Sequence, residues 1–462
     1  MDRELTGSPT GRQLAGAPAP GARAPALVTR ARALVPGGRA LALVAGALVP
    51  GALVAGSLAL AVIASAGTAP PARAPFALGG LWDAQVTVGG NVVPFRFRIA
   101  GTASQPSGAF LNGPVRVVAT GGRFNASHLV LDFDQYAKRL DVTLDDSGAL
   151  TGTYGPNTPA MQARIPTLPF TATRAGSRAA RSVSAMPPLA GTYLVPIPTD
   201  EKAWHLIVRQ HGSEVDAVIL RVDGDTGELR GIWADGRVLL SHFDGARPTL
   251  VELAPAAAGA LQLVLKDLHG GADTTLTAYR ASDAAARGLP AADDPRHHTR
   301  MRDPSVAFAF SFPDLAGKTV ANTDARFAHH VLIVDVSGSW CPNCHDEAPF
   351  LEELYRRYHG RGLEIVSLSF EEPEQLESLA RLKAFIARYG ITYTVLVGGT
   401  PAEARERLPE VQRLDYWPTT FFVARDGRVR AVHTGFAAPA TGEFHEALRH
   451  EFESEVETLL AE

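Results

Sequence analysis

The chain has 462 residues, of which 46% are apolar and 20% are charged, and its formal net charge is −4. This length indicates about three domains, and the composition excludes a wholly disordered or fibrous protein. Because no block of basic residues is present, we expect no nucleic-acid partner.

The first 67 residues have the pattern of a targeting segment. Residues 1–39 are rich in Ala, Pro, Gly and Arg and have no acidic residue after Glu4, whereas residues 40–67 are an uncharged apolar run long enough to cross a bilayer. We expect a disordered basic region followed by a signal peptide or a transmembrane anchor, which exports the rest of the chain to the periplasm or cell envelope. A buried core helix and an organellar transit peptide are the alternatives.

Residues 75–182 and 186–284 are predicted to form two β-rich modules. Both contain short alternating runs separated by Gly and Asp-Gly breaks, which are typical of antiparallel strands. Each opens on a strand with Gly and an aromatic residue and closes on Thr-Ala-x-Arg, so we predict a weak internal repeat, or else one large barrel or sandwich. We find no catalytic constellation in these modules, because His205, His211 and His242 stand alone, and we expect this region to serve in binding or spacing.

Residues 285–303 are polar and contain proline, as is typical of an interdomain linker, and we expect His297 and His298 in it to be solvated. From residue 304 to residue 462 the pattern alternates between strands and helices, which predicts an α/β sandwich. The predicted elements are strands at 331–336, 364–370 and 393–397, a hairpin at 420–432, and helices at 341–359, 374–389, 401–413 and 441–460.

The only two cysteines of the chain, Cys341 and Cys344, lie in Trp-Cys-Pro-Asn-Cys, where a buried strand turns into a helix. Cys341 is the predicted N-cap and Pro342 the first helical residue. Unpaired N–H groups and the helix dipole stabilise a thiolate there, so we expect Cys341 to be the nucleophile and the buried Cys344 to resolve the mixed disulfide. Only His345 lies beside the pair, so we expect no metal and no cofactor other than a redox-active Cys341–Cys344 disulfide.

Further residues give residues 304–462 a resemblance to the thioredoxin superfamily and, within it, to the exported disulfide reductases of the TlpA and ResA type. Asp335 lies six positions before Cys341, as does the buried acid of the family, and the resemblance implies that it shuttles the proton of Cys344. Glu347 completes the pattern C-x-x-C-x-x-E-x-P, which implies that it tunes the titration of the cysteines. Asn343 stands where the family often has proline.

The resemblance also implies a set of substrate-binding residues. Trp340 matches the family tryptophan before the nucleophile, and Trp417-Pro418-Thr419 matches the loop whose proline is cis and faces the disulfide. We therefore expect Trp340, Trp417, Pro418 and Thr419 to contact the substrate. The helix residues His345 and Asp346 are expected to be solvated, whereas Glu371 and Glu372 follow a strand that could bring them near the site.

We predict a thiol-disulfide oxidoreductase that reduces disulfide-containing proteins outside the cytoplasm, with a membrane thiol reductase as its electron donor and apocytochrome thiols among its candidate substrates in cytochrome c maturation. The alternatives are a disulfide oxidase or isomerase of the same fold, a peroxiredoxin-like peroxidase, and an envelope binding or scaffold protein whose β modules bind a partner. No Thr-x-x-Cys precedes Cys341, which disfavours the peroxidase. A copper chaperone is disfavoured because its cysteines are one residue further apart.

Overall fold

The computed structural model describes residues 76–176, 186–198 and 202–462, all of which fall within one structural unit, Ala72–Glu462. The predicted basic region at 1–39 and the predicted signal peptide or anchor at 40–67 lie outside the described residues. Among the residues that the structure describes, no helix is long and apolar enough to cross a membrane.

The first module is an antiparallel sheet of nine strands. These are β1 (Gly80–Val88), β2 (Asn91–Thr102), β3 (Gln105–Asn112), β4 (Val115–Val118), β5 (Gly121–Asn125), β6 (His128–Phe133), β7 (Lys138–Leu144), β8 (Leu150–Pro156) and β9 (Leu168–Arg174), with the short helix α1 (Pro159–Gln162) before β9. Successive strands are neighbours except β4 and β5, which are the two edges of the sheet, and β1 also pairs with β9. The backbone of Gly122 on β5 lies so close to Pro106 on β3 that a Cβ would be 2.4 Å from the Pro106 carbonyl oxygen, so the sheet curls into a half-barrel.

The second module is a closed antiparallel barrel. Its strands are β10 (Gly191–Pro196), β11 (Ala203–His211), β12 (Glu214–Arg221), β13 (Gly224–Asp225), β14 (Leu229–Ala234), β15 (Arg237–His242), β16 (Thr249–Pro255), β17 (Leu261–Leu265) and β18 (Thr274–Arg280). Strands β11 and β12 pair with each other as well as with their other neighbours, and this pairing closes the ring. The β-rich fold predicted for this part of the chain is therefore confirmed.

The same side-chain arrangement occurs at the junction of the first and last strands in both modules. In the first, the Arg174 guanidinium lies 4.6 Å from the ring centre of Trp82, and in the second Arg280 lies 5.1 Å from that of Tyr193. Trp82 and Tyr193 each donate a hydrogen bond to the carbonyl four residues earlier. These contacts give the predicted internal repeat a structural basis, since the Thr-Ala-x-Arg ending supplies the arginine in each module.

The segment at 285–303 is folded against its neighbours. It contains α2 (Pro295–His298) and β19 (Arg300–Met301), which pairs with β25 (Val411–Gln412) of the C-terminal domain. His297 is exposed, as expected, but the prediction that His298 is solvated is wrong. Its side chain is buried and its Nδ1 lies 2.9 Å from Asp293, because α2 packs against the C-terminal domain.

The C-terminal domain is a mixed five-stranded sheet with helices, and it confirms the predicted α/β thioredoxin-like fold. The sheet order is β24-β23-β22-β26-β27, in which the first three strands are parallel and the last two are antiparallel. Side chains of β22 alternate between two apolar clusters, Ile333 in one and Val334 in the other, so both faces of the sheet are covered. Besides β25, the elements are β20 (Ser311–Pro313), β21 (Thr319–Ala321), β22 (Val331–Ser337), β23 (Leu363–Phe370), β24 (Thr394–Gly399), β26 (Thr419–Val423), β27 (Val429–Thr434), α3 (Pro342–Tyr358), α4 (Pro373–Leu376), α5 (Ala380–Tyr389), α6 (Ala404–Arg407) and α7 (Glu443–Ala461).

Two predicted helices of this domain differ from the observed ones. The helix predicted at 374–389 is divided into α4 and α5, because Leu379 has a left-handed backbone conformation with φ of 53°. The helix predicted at 401–413 is limited to a short turn and α6. Pro409 has no N–H to continue the helical hydrogen bonds and restrains the residue before it, so the chain leaves the helix and forms β25.

Candidate active site

The two cysteines lie at the start of α3, directly after the loop that follows β22. Cys341 is the N-cap of this helix, and Pro342 is its first residue. The Cys341 Sγ accepts a hydrogen bond from the Cys344 N–H at 3.3 Å and lies 3.6 Å from the carbonyl oxygen of Trp417. Both cysteines are free thiols and both are buried, with exposed fractions of 3% and 1%. An N–H group aimed at a sulfur at a helix N-terminus stabilises a thiolate there.

The second thiol is buried close to two acids that the sequence also singles out. Burial raises the pKa of Cys344 well above its ordinary value, and the charges of Cys341 and Asp335 raise it further. Asp335, on the central strand β22, accepts a hydrogen bond from Ser367 at its Oδ2, whereas its Oδ1 is buried without a hydrogen-bond partner. A buried carboxyl oxygen that accepts no hydrogen bond is well placed to carry a proton.

Glu347 lies on the buried face of α3, one turn after Cys344. Its Oε1 accepts a hydrogen bond from Thr420 at 2.7 Å, and its side chain is almost fully buried. Burial raises the pKa of Glu347 well above its ordinary value, and the neighbouring Asp335 carboxylate raises it further. Asp335 thus raises the pKa of both Cys344 and Glu347, so the three buried groups titrate in dependence on one another.

The loop before β26 forms one side of the site. The Trp417–Pro418 peptide bond is cis, as the resemblance implies, and the ring of Trp417 packs edge to face on Trp340 with their centres 5.8 Å apart. Both tryptophan side chains are half-buried, while Pro418 is buried. Thr419 is fully buried, and its Oγ1 donates a hydrogen bond to the Tyr416 carbonyl, so this side chain holds the loop in place.

A buried ion pair that the sequence analysis did not assign holds the loop before Cys341. Ser339 donates hydrogen bonds to Glu371 from its N–H at 2.9 Å and from its Oγ at 2.6 Å, and the Arg381 guanidinium contacts both Ser339 and Glu371. The Ser339 carbonyl is bonded by His345 at 2.9 Å. The prediction that His345 is solvated is therefore wrong, because its side chain is buried. This burial lowers the pKa of His345 to about 4. The only sequence signal for this network was that Glu371 ends a strand beside the site.

Arg381→Ala leaves the Glu371 carboxylate buried without its cation, so we expect the free energy of unfolding to fall by about 3–5 kcal/mol. Equilibrium unfolding in urea measures this loss. Lys383→Ala, which removes an exposed cation from the same helix, is the matched control and is expected to change stability by less than about 0.5 kcal/mol. Equal losses in the two variants would contradict a structural role for the ion pair.

Both β modules contribute side chains or backbone to the surroundings of the cysteines. Tyr136 of the first module packs on the His345 ring with a centre-to-centre distance of 4.3 Å. In the second module, the Asp223 carbonyl accepts a hydrogen bond from the Asn343 side chain at 2.7 Å. These contacts join residues more than a hundred positions apart, and no local sequence pattern indicates them.

A group of carboxylates lies beside the first turn of α3. Asp346 is half-buried, and burial together with the charges of Asp225 and Asp244 raises its pKa well above its ordinary value. His242, which stands alone in the sequence, is buried, and its Nε2 lies 3.6 Å from the Asp244 Oδ2. Within the described residues, no cluster of three or more His, Cys, Asp or Glu side chains has the geometry of a metal site.

Comparisons with known proteins place their matches on the C-terminal domain. Residues 305–432 match the family described as the AhpC/TSA family. The thiol-disulfide oxidoreductase ResA of Geobacillus thermodenitrificans is 28% identical over 131 residues, which are 28% of this chain and 68% of that protein. The ResA of Halalkalibacterium halodurans is 28% identical over 129 residues, 28% of this chain and 66% of that protein. The chain thus spans about two thirds of the length of these relatives.

Among solved structures, a thiol:disulfide interchange protein of the thioredoxin family from Chlorobium tepidum covers 35% of this chain and 99% of its own chain. The two are 22% identical, and the TM-score is 0.27. A TM-score this low supports no further inference.

Proposed function

Because residues 304–462 are a thioredoxin-fold domain similar to the ResA thiol-disulfide oxidoreductases, we propose that this protein reduces disulfide bonds of other proteins with the dithiol of Cys341 and Cys344. The observation that carries the proposal is the placement of Cys341 at the N-cap of α3, directly above a second buried thiol and two buried acids. The redox-active cysteine pair is the only cofactor that the proposal needs.

The reaction proceeds in two exchanges. The Cys341 thiolate attacks one sulfur of the substrate disulfide, so that a Cys341–substrate disulfide forms and the other substrate sulfur leaves and takes up a proton. Cys344 then gives its proton to the Asp335 carboxylate and attacks the Cys341 sulfur. The Cys341–Cys344 disulfide forms, the second substrate thiol is released, and two electrons have passed from the protein to the substrate.

Trp340, Trp417 and Pro418 form the surface on which we place the substrate backbone, while Thr419 holds the loop from beneath. The basic region and the apolar run of residues 1–67 support a location in the periplasm or cell envelope, with residues 40–67 as the membrane contact where they are retained. Net reduction there requires an electron donor, and a membrane thiol reductase fits this location.

Cys344→Ser tests the proposed function. The variant keeps the nucleophile and lacks the resolving thiol, so after incubation with a protein disulfide such as insulin we expect a mixed disulfide on Cys341 that survives gel electrophoresis without reductant. Cys341→Ser is the matched control and is expected to trap nothing. A Cys344→Ser protein that forms no adduct would contradict the proposal, whereas rapid reduction of hydrogen peroxide by the unaltered protein would favour a peroxidase.

A further inference from the structure

The turn that joins β12 to β13 in the second β module contacts the C-terminal domain beside the first turn of α3 and at the residues that follow β27. This turn, Val222–Asp225, is here called the barrel hairpin. A disulfide can be attacked only if it reaches the Cys341 sulfur, yet the exposed fraction of Cys341 is 3%. The Cys341 Sγ lies 3.6 Å from the Trp417 carbonyl oxygen, and the carbonyl of the next residue, Pro418, accepts a hydrogen bond from the Gly435 N–H at 2.7 Å. Asn343 and the segment 435–438 are here called the rim.

The barrel hairpin contacts this rim through its backbone and one carboxylate. The Asn343 Nδ2 donates a hydrogen bond to the Asp223 carbonyl at 2.7 Å. The Ala438 N–H donates to the Asp225 Oδ2 at 2.6 Å, and the Asp225 side chain is buried. A hydrogen bond to a buried carboxylate is among the stronger contacts that a protein forms, so Asp225 is the anchor of the hairpin on the C-terminal domain.

Two glycines let the backbones of the hairpin and the rim approach closely. A Cβ at Gly435 would lie 2.2 Å from the Val222 carbonyl oxygen, and one at Gly224 would lie 2.8 Å from the Phe436 carbonyl oxygen. Both glycines have positive φ, at 78° and 119°. The rim therefore accommodates a polypeptide backbone at van der Waals distance.

The hairpin also separates two cavities. One, of about 350 Å³, is lined by Leu220, Gly224 and Phe436, and the other, of about 520 Å³, is lined by Asp225, Asn343 and Asp346. Hairpin residues line both cavities, and the second cavity is also lined by Pro342 at the N-terminus of α3.

We propose that the barrel hairpin occupies the polypeptide-binding groove of the active site and must withdraw before a protein disulfide reaches Cys341. The proposal rests on the proposed function, and the groove that it assigns binds an extended polypeptide backbone through the Asn343 side chain and the Ala438 N–H.

Two variants of the full chain break the anchor from opposite sides. Asp225→Ala removes the carboxylate, and Ala438→Pro removes the N–H at a residue whose φ of −73° suits proline. We expect each to raise the rate of alkylation of reduced Cys341 by iodoacetamide, and the rate of insulin reduction, on the order of tenfold, because one hydrogen bond to a charged group biases a two-state equilibrium by about that factor. The rates of the double variant are expected to exceed those of either single variant by less than about twofold, because both changes remove the same hydrogen bond.

Asp216→Ala is the matched control. Asp216 lies on β12, is also buried, and pairs with Arg230 at 2.9 Å within the barrel, so we expect it to leave both rates within about twofold. The proposal is overturned if Asp225→Ala and Ala438→Pro leave alkylation unchanged, or if Asp216→Ala accelerates it equally. If alkylation becomes faster but no variant reduces a disulfide, the hairpin does cover Cys341 and the proposed reductase activity is wrong. If Asp225→Ala does not fold, Ala438→Pro alone tests the proposal.

Discussion

Cys341→Ser is expected to lower the single-turnover rate of disulfide reduction at least about a thousandfold, because the hydroxyl that replaces the thiol is not a nucleophile towards sulfur at neutral pH. The measurement mixes pre-reduced protein with insulin and quantifies the thiols released. The Sγ of Cys341 contacts the Cys344 N–H and the Trp417 carbonyl, and a serine hydroxyl can make both contacts, so the fold should be retained. Full function in this variant would favour the binding or scaffold alternative.

The second large effect is expected from Asp335→Asn, which cannot accept the proton of Cys344. Positioned general bases contribute about 100-fold to 10,000-fold in rate, so we expect resolution of the Cys341 mixed disulfide to slow at least about 100-fold at pH 7. Rapid quenching of the exchange with insulin separates this step from the first attack. Glu352→Gln, which neutralises another buried acid about two turns further along α3 from Cys344, is the matched control and should resolve at the unaltered rate.

The same substitution is expected to stabilise the reduced protein at high pH. Burial raises the pKa of Asp335 to about 7, so the folded state binds its proton more tightly than the unfolded chain, in which the pKa is about 4. Between these values the folded state holds more protons, and the unfolding free energy therefore falls as the pH rises. Asparagine does not ionise, so it avoids the cost of burying a charged carboxylate at high pH. Urea unfolding should thus show a larger gain for Asp335→Asn at pH 8 than at pH 5, and equal gains would contradict the raised pKa.

The parts of the site that lie close together in sequence could be predicted from it. An N-cap cysteine followed by proline, an acid within an apolar strand and a Trp-Pro-Thr loop each have a local physical meaning, and the structure brings these residues together around Cys341. The half-barrel and the closed barrel could be predicted only as β-rich, because alternation indicates strands but not which of them pair at the seam.

The long-range contacts around the cysteines could not be predicted, because they join distant segments. Asn343 and Asp223 are 120 positions apart, and Arg381 reaches Ser339 across 42 positions. The burial of His345 has the same origin, since its ring is covered by Tyr136 of the first module. A polar side chain on a helix is expected to face water until a partner from elsewhere in the chain covers it.

The reduction potential of the Cys341–Cys344 pair tests the central claim most directly. The chain from residue 68 onward is equilibrated in thiol redox buffers, and the fraction of alkylated cysteine is determined by mass spectrometry at each potential. We predict a reversible two-electron couple whose midpoint potential is near the ~−270 mV of thioredoxin, which is typical of a reductant. A midpoint near ~−120 mV would contradict net reduction and favour an oxidant or isomerase. If no reversible couple is found, the protein is not a thiol-disulfide oxidoreductase.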